Sequence, residues 1–265
     1  MQIQSDEAAL TTEAVSRVLK PATIIKNVFV FDSIGSTNVY SKTLVTNGIS
    51  DPTLVVAEEQ THGHGRFGRA WHSEKGKNLT FSLIVKPQVP TDRIGALPLC
   101  VAESVASAVE SRVPVPVETR WPNDLFISGK KISGILMESV IMGRRFAAII
   151  VGIGLNVNQK TFPQDLNATS LSLLLGKTLD RLRLLSEIVK RLAWLDGQIS
   201  VSEVGEKLEK WKRRCETFGK MIRVQAGEKT FSGIAKDIAT DGGLLVDVNG
   251  LEQEVRAGDL TIRES

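Results

Sequence analysis

The sequence has few cysteines and no segment typical of export or membrane insertion. Its two cysteines, Cys100 and Cys215, lie far apart in 265 residues, which argues against a disulfide framework and fits a reducing compartment. The N-terminus reads MQIQSDEAAL, without the basic residues and apolar core of a signal peptide. No run of about 18 apolar residues occurs, so no membrane span is expected. These absences predict a cytoplasmic protein.

An excess of charge of one sign is also missing. The 33 lysines and arginines nearly balance 30 acidic residues, which leaves a formal net charge of +3. That excess is too small to indicate a nucleic-acid partner by itself. With 42% hydrophobic and 24% charged residues, the composition is that of an ordinary globular protein. The length suits one large domain, or a main domain with a small second one.

The apolar pattern of the first 160 residues predicts strands interleaved with helices. A helix is expected to begin at Ser36 or Thr37 and to end near Gly48. Another helix is expected over 93–112, and a hairpin of buried strands should turn near Gly143. The remaining predicted strands are 28–33, 53–60, 78–87 and 117–127, the last of them bent by Pro122.

The pattern then changes twice. Residues 180–199 and 202–219 have the spacing of amphipathic helices. From Met221 onward, five short strands alternate with glycine and aspartate, which predicts a small β-barrel. The predicted organisation is an N-terminal extension (1–27), a main domain (28–218) and a C-terminal barrel domain (219–265).

A glycine-rich stretch, QTHGHGRFGRAWHS, follows the strand at 53–60. Gly63, Gly65 and Gly68 satisfy the G-x-G-x-x-G pattern of dinucleotide-binding domains. That pattern needs a helix directly after it and an acidic residue about 20 residues later. Here a strand is expected next, and the later stretch VKPQVP has no acid. We therefore reject a dinucleotide site and retain a loop whose glycines and arginines could approach an anion.

A metal site in the same stretch is also disfavoured. The only three histidines are His62, His64 and His72, and neither cysteine lies near them in sequence. Zinc sites commonly add cysteine or carboxylate ligands, which this loop does not supply.

Four stretches together resemble the biotin–protein ligases. They are STN (36–38), GHGRFGR (63–69), RWPNDL (120–125) with GKKISGILME (129–138), and VGIGLNVN (151–158). The resemblance runs from about Val28 to the C-terminus, and the combination of motifs is highly specific. The family loop is usually written G-R-G-R-x-G-R, so His64 stands where an arginine is usual.

The resemblance implies an α/β (α+β) fold like the catalytic core of class II aminoacyl-tRNA synthetases and lipoyl ligases. It is a mixed sheet with helices, followed by an SH3-like barrel. It also implies an ATP-dependent enzyme that forms biotinyl-AMP, with Mg²⁺, and transfers biotin to a lysine of a biotin carboxyl carrier protein. Family members can form homodimers. The 27 residues before the first strand are too few for the winged helix of bifunctional members, so no repressor role is expected.

The resemblance also assigns residues. Lys131 and Arg66 are the expected catalytic residues. The expected biotin-binding residues are Ser36, Thr37, Asn38, Gln60, Gly63, His64, Gly65, Arg66, Lys131 and Gly134. The expected ATP- and adenylate-binding residues are Arg66, Arg69, Trp71, Asn123, Asp124, Lys131 and Asn156, and Asp124 is also the expected Mg²⁺ ligand.

Each assignment has a purely structural alternative. Ser36 or Thr37 would serve equally as a helix N-cap. Trp71 at a strand start is more often a core residue. Sequence periodicity cannot tell whether Lys130 or Lys131 faces a site. At the level of the whole protein, a lipoate–protein ligase and a non-catalytic biotin sensor remain alternatives.

Overall fold

The structure is a computed structural model that describes residues 9–19, 24–227, 229–256 and 258–262. Its helices are α1 (Thr12–Leu19), α2 (Thr37–Thr46), α3 (Leu97–Glu110), α4 (Leu171–Leu175), α5 (Arg181–Arg191) and α6 (Val201–Arg214). Its strands are β1 (Asn27–Phe31), β2 (Thr53–Ala57), β3 (Leu79–Val85), β4 (Pro87–Gln88), β5 (Glu118–Arg120), β6 (Asp124–Ile127), β7 (Lys130–Met142), β8 (Arg145–Leu155), β9 (Gly197–Gln198), β10 (Met221–Ala226), β11 (Lys229–Ile238), β12 (Leu244–Val248), β13 (Leu251–Val255) and β14 (Asp259–Ile262).

A seven-stranded mixed sheet forms the centre of the molecule, in the order β1-β2-β3-β8-β7-β6-β5. Strands β1 and β2 are parallel, and the other neighbours are antiparallel. Every residue of β2 and β3 is buried, as expected for strands covered on both faces. The mixed α/β fold expected from the resemblance is confirmed.

Helices cover both faces of this sheet. The apolar helix α3 packs against β5, β6 and β7 and contacts α5 and α6, so these three helices form one layer. The opposite face receives α2, which contacts β2, β3, β7 and β8. Ser82 of β3 faces α2, whereas its neighbours Phe81 and Leu83 belong to the apolar core. The α2 side of the sheet therefore carries a polar group, Ser82, between residues that face the apolar core on the other side.

The helix boundaries follow local capping. Helix α2 begins where predicted, because Ser36 is extended and its hydroxyl accepts from the Val39 N–H. Asp180 and Ser200 cap α5 and α6 in the same way. The helix predicted over 180–199 ends early, at Arg191. Gly197 has a φ of 90°, which turns the chain so that β9 pairs with β4.

The C-terminal part is a five-stranded antiparallel sheet in the order β13-β12-β11-β10-β14. Its buried apolar residues belong to the same hydrophobic core as those of the catalytic part, and hydrogen bonds add to this contact. The Trp121 indole N–H donates to the Gly242 carbonyl over 3.0 Å, and Arg93 donates to the Thr240 carbonyl over 3.0 Å. Trp121 belongs to the turn between β5 and β6, so the small sheet touches the segment that carries Asn123. Among the described helices, none is long and apolar enough to cross a membrane.

A buried ion pair joins the end of β2 to the start of α5. The Arg181 guanidinium and the Glu58 carboxylate are 3% and 8% exposed, and Nη2 donates to Oε1 over 3.1 Å. Glu58 also accepts from the Leu10 N–H, and Arg181 donates to the Asn78 carbonyl. One charged pair therefore connects the segment before α1, the strand that leads to the glycine-rich loop, and α5.

Removing one partner of this pair should cost more stability than removing both. Arg181→Met leaves the Glu58 carboxylate buried without its cation, which typically costs about 3–5 kcal/mol. The double variant Glu58→Leu/Arg181→Met removes both charges and should recover part of that loss. Urea unfolding of the wild type, Glu58→Leu, Arg181→Met and the double variant measures the coupling between the two residues. Strictly additive losses in the free energy of unfolding would contradict a cooperative buried pair.

Candidate functional site

A cleft of about 520 Å³ opens at one end of the central sheet, between the start of α2, the glycine-rich loop and strands β6, β7 and β8. Leu260 of the C-terminal sheet completes its wall. Of the residues expected from the sequence to form the site, only Gly63 is absent from the lining. Those present are Ser36, Thr37, Asn38, Gln60, His64, Gly65, Arg66, Arg69, Trp71, Asn123, Asp124, Lys131, Gly134 and Asn156. Residues separated by 120 positions thus meet in one place.

The start of α2 contributes a polar end to the cleft. The Thr37 N–H donates to Gln60 Oε1 over 2.7 Å, and Thr37 Oγ1 lies 3.0 Å from the same oxygen. An isolated β-bridge joins Ile34 to Gln60, so Gln60 is held at the end of its strand. Ser36 acts as the helix N-cap and also lines the cleft, so both sequence interpretations are compatible with its position.

Asn38 has its side-chain amide engaged within the protein. Its Nδ2 donates to Glu138 Oε2 over 2.7 Å, and its Oδ1 lies 2.6 Å from Ser82 Oγ. Gly152 makes room for this amide, because a Cβ there would lie 2.2 Å from Asn38 Oδ1. Neither Ser82 nor Glu138 was assigned a role from the sequence, although Glu138 ends the stretch GKKISGILME. The only signal for Ser82 is its polarity within a largely apolar strand.

The glycine-rich loop folds as a tight hairpin. The Gly65 N–H donates to the Arg69 carbonyl over 2.7 Å, and the Trp71 N–H to the Gly63 carbonyl over 2.9 Å. At the tip, Phe67 is 66% exposed and has a φ of 54°, a left-handed conformation that costs a bulky residue about 1–3 kcal/mol. The next strand or α-helix after the loop is β3, so the chain does not enter a helix directly after the glycine pattern, as a dinucleotide site would require.

A β-bulge decides which lysine faces the cleft. Strand β6 pairs with β7 in one register at Asp124–Gly134 and in another at Phe126–Lys131, with the shift between Leu125 and Phe126. Simple alternation would place Lys131 and Gly134 on opposite faces, but the bulge brings both to the cleft. Lys130 lies outside the cleft lining and is exposed. The Lys131 ammonium instead contacts the Asp124 carboxylate at 2.8 Å.

Trp71 lies on a floor made of glycines. Gly134 and Gly154 are partners across β7 and β8, and a Cβ on Gly154 would come within 2.3 Å of the indole. The ammonium of Lys131 lies 5.9 Å from the indole ring centroid. The absence of side chains at two facing positions therefore lets an aromatic ring lie flat on the sheet.

Three buried polar atoms of the cleft residues lack partners within the described structure. One is Arg120 Nε, and the other two, at the indole end, are the Trp71 Nε1 donor and the Asn156 Oδ1 acceptor. The Asn156 backbone is fully used, since its N–H donates to the Ile132 carbonyl and its carbonyl accepts from Leu171. Buried polar groups are normally satisfied, so these two atoms indicate a ligand or water at this end of the cleft.

Asn123 is held against the neighbouring strand. Its side-chain amide donates to the Ile135 carbonyl, and its own carbonyl accepts from the Ile135 N–H. Arg120, the last residue of β5 before this turn, also lines the cleft, stacks 3.8 Å from the Phe126 centroid and pairs with Glu216. The RWPNDL stretch contained Arg120, so the sequence carried a signal for it. The wall formed by Phe162 and Leu166 had none.

The donor set of the cleft does not fit a resident Mg²⁺ ion. Asp124 is the one carboxylate residue in the cleft lining, and it is paired with Lys131. Among the described residues, no group of three or more histidine, cysteine, aspartate or glutamate side chains could hold a metal. Magnesium commonly binds one or two carboxylates together with substrate phosphates, so any Mg²⁺ here would have to arrive with a nucleotide.

Neither cysteine has the character of a nucleophile. Burial raises the pKa of the Cys100 thiol to about 12, and burial also raises the pKa of Cys215. Both thiols therefore stay protonated at neutral pH, and covalent catalysis through a thiolate is not supported.

Comparison with known families and proteins gives a consistent result. Residues 30–156 match the biotin/lipoate A/B protein ligase family, and residues 217–261 match the biotin protein ligase C-terminal domain. The bifunctional ligase/repressor BirA of Bacillus subtilis is 32% identical over 248 residues, which cover 92% of this chain and 76% of the relative. The biotin–[acetyl-CoA-carboxylase] ligase of Mycobacterium tuberculosis is 33% identical, with 85% of each chain covered.

A solved structure agrees with these sequence matches. The biotin protein ligase from Aquifex aeolicus, in complex with biotin and ATP, superposes with a TM-score of 0.74 at 29% identity. The match covers 91% of this chain and 100% of that one. The family models, the relatives that match most of this chain and the shared fold agree. This chain therefore belongs to the biotin protein ligase family of ligase enzymes.

Proposed function

We propose that this protein is an ATP-dependent biotin–protein ligase that activates biotin as biotinyl-AMP and transfers it to a lysine of a carrier protein. The observation that carries the proposal is the single cleft in which a hydrogen-bonding end, at Thr37 and Gln60, lies together with cations at Arg66, Arg69 and Lys131. Biotin has the matching parts, a polar ureido ring at one end and a carboxylate at the other.

The first step joins two anions. A carboxylate oxygen of biotin attacks the α-phosphorus of ATP, the bond to the β-phosphate oxygen breaks, and pyrophosphate leaves. Two unit charges 4 Å apart repel by about 4 kcal/mol at an effective dielectric constant of 20. Lys131 is assigned to the point where carboxylate and α-phosphate meet, and Arg66 and Arg69 to the phosphates. Catalysis would then consist mostly of positioning and charge compensation.

Asp124 has a positioning role in this scheme. Its carboxylate holds the Lys131 ammonium 2.8 Å away and keeps it extended into the cleft before the anions arrive. Magnesium would enter as part of the ATP substrate. We therefore assign Asp124 to the orientation of Lys131, in preference to metal ligation.

The nucleotide end is assigned to the residues with unsatisfied buried atoms. An adenine base has both donors and acceptors on its edge, which suits the Asn156 Oδ1 acceptor and the Trp71 Nε1 donor. The flat indole on Gly134 and Gly154 also offers an aromatic surface. Asn123 would shape this end through its clamp on β7.

In the second step a carrier lysine releases the product. Its ε-amine, after loss of a proton, attacks the acyl carbon of biotinyl-AMP, the bond to the phosphate oxygen breaks, and AMP leaves. The relatives named as biotin–[acetyl-CoA-carboxylase] ligases support a biotin carboxyl carrier protein as the partner. Homodimer formation is a further proposal that follows from the family resemblance.

Two alternatives make different predictions. The matched family also covers lipoate ligases, but the polar groups around Thr37 fit a ureido ring better than an apolar dithiolane. A non-catalytic biotin sensor would bind biotin without turnover. Incubation with Mg-ATP, a carrier domain and either biotin or lipoate, read by intact mass, tests all three. A biotin-sized mass gain with pyrophosphate release is expected, whereas a lipoyl gain or no gain would reject the proposal.

Lys131→Ala should abolish adenylate formation while the protein still folds. Removing the ammonium leaves two anions uncompensated, and loss of one such group typically costs about 10²- to 10³-fold in rate. Lys130→Ala is the matched control and should be nearly silent, because Lys130 is exposed and lies outside the cleft lining. Pyrophosphate release measures both variants. Equal losses would show that the bulge at β6–β7 does not select Lys131.

Arg66→Gly should loosen retention of biotinyl-AMP. We expect the loop hairpin to close over the adenylate and shield it from water and stray amines. The variant should therefore biotinylate bystander proteins that the wild type ignores, as measured on a mixed-protein blot. Arg144→Gly, in the exposed turn between β7 and β8, is the control. Proteolysis near Arg66 that biotin and ATP fail to suppress in the wild type would contradict the closing loop.

Gly154→Ala should weaken ATP binding because the added methyl group would displace the Trp71 indole, which lies 2.3 Å from the new atom. Stacking on an aromatic ring is worth about 1–3 kcal/mol, so the KM for ATP should rise roughly tenfold. Gly205→Ala in α6, where nothing lies within 4 Å, is the control. An unchanged KM for ATP in a folded Gly154→Ala protein would argue against the assignment of Trp71 to the nucleotide.

A further inference from the structure

A chain of hydrogen-bonding groups leads from outside the cleft to its polar end. Glu138 Oε2 lies 2.7 Å from Asn38 Nδ2, and Asn38 Oδ1 lies 2.6 Å from Ser82 Oγ. Ser82 Oγ lies 2.7 Å from Thr37 Oγ1, which lies 3.0 Å from Gln60 Oε1. Thr37, Asn38 and Gln60 line the cleft, whereas Glu138 does not. The donor and acceptor capacity of each group sets the direction of each hydrogen bond.

Two acceptors fix the orientation of the Asn38 amide. Its Nδ2 faces both the Glu138 carboxylate and the Leu136 carbonyl, at 2.7 and 3.4 Å. A carboxylate and a backbone carbonyl can only accept, so the NH₂ group must point toward them. The amide oxygen therefore faces Ser82, and it can only accept as well. Glu138 thus sets the orientation at the start of the chain.

The remaining contacts are short of protons. Three oxygen–oxygen contacts join Asn38 to Ser82, Ser82 to Thr37 and Thr37 to Gln60, but Ser82 and Thr37 supply only one hydroxyl proton each. The Asn38 oxygen requires the Ser82 proton, and the 2.7 Å contact with Ser82 then requires the Thr37 proton. The longest contact, at 3.0 Å, is left without a proton. Its Gln60 oxygen already accepts the Thr37 N–H.

We propose that Glu138, acting through Asn38 and Ser82, makes the Thr37 and Gln60 oxygens a pair of acceptors that selects a ligand with an N–H donor. The identity of this donor rests on the proposed function: it is a ureido N–H of biotin, which would supply the missing proton. Glu138 is a positioning residue in this scheme and does not touch the ligand. An apolar head group would leave the buried Thr37 oxygen without a donor, which is costly, and the Gln60 oxygen with only the Thr37 N–H.

The test separates the acceptor role of Glu138 from its charge. Glu138→Leu removes the closer acceptor, at 2.7 Å, and leaves only the Leu136 carbonyl, at 3.4 Å, to hold the Asn38 amide in its orientation. Glu138→Gln can still present an oxygen to the amide. Calorimetric binding without nucleotide would use biotin and its two cyclic-carbamate analogues, in which one or the other ureido N–H is replaced by oxygen. Wild type should bind at least one analogue roughly tenfold more weakly than biotin.

The variants should change this selectivity in a set order. In Glu138→Leu the preference for biotin over that analogue should fall toward one, and in Glu138→Gln most of it should remain. Ser82→Ala removes the hydroxyl that links Asn38 to Thr37 and should have the same effect as Glu138→Leu. This second variant keeps the test available if the leucine variant folds poorly. Glu59→Leu is the matched control, because the Glu59 carboxylate accepts a hydrogen bond from Ser33 and takes no part in the hydrogen bonds that link Glu138 to Gln60.

The outcomes also separate this inference from the proposed function. A wild type that binds no biotin would reject the ligase assignment itself. A wild type that binds biotin but does not discriminate against either analogue would overturn only the acceptor pair. Unchanged selectivity in Glu138→Leu and Ser82→Ala, or an equal loss in the leucine and glutamine variants, would overturn the role of Glu138.

Discussion

The cleft depends on a sheet surface that lacks side chains at chosen positions. Gly152 and Gly154 alternate along β8, and each leaves room that a Cβ would fill. The space over Gly152 admits the Asn38 amide, and the space over Gly154 admits the Trp71 indole. Because strand neighbours point to opposite faces, two glycines spaced by one residue clear a single face. The polar end and the aromatic end of the cleft therefore share one structural cause.

Irregular pairing next to this floor brings charge to it. The bulge between β6 and β7 turns Lys131 to the same side as Gly134, and Asp124 holds the ammonium there. A regular ladder would have presented Lys130 in its place, without the carboxylate partner. The ends of the same strands also lead to the turn at Trp121, which hydrogen-bonds the C-terminal sheet at Gly242. The segment that shapes the cleft therefore also contacts the C-terminal sheet.

Elements with a local cause could be predicted from the amino-acid pattern alone. The strand alternation, the start of α2 at its Ser36 cap, the hairpin turning near Gly143 and the five strands after Met221 all have short-range causes. Of the site residues that the family resemblance assigned, all but Gly63 line the cleft. The α5 boundary was wrong, because the turn at Gly197 and the pairing of β9 with β4 override a helical apolar pattern.

Contacts between residues far apart in sequence could not be predicted without the folded structure. Asn38 lies 100 positions from Glu138 and 44 from Ser82, so no local pattern could show that its side-chain amide hydrogen-bonds to these two residues. The choice of Lys131 over Lys130 required the register of β6 against β7. Leu260 reaches the cleft from the C-terminal sheet. Periodicity specifies which residues are apolar or capped, whereas hydrogen-bond direction and register depend on partners that only the folded chain brings together.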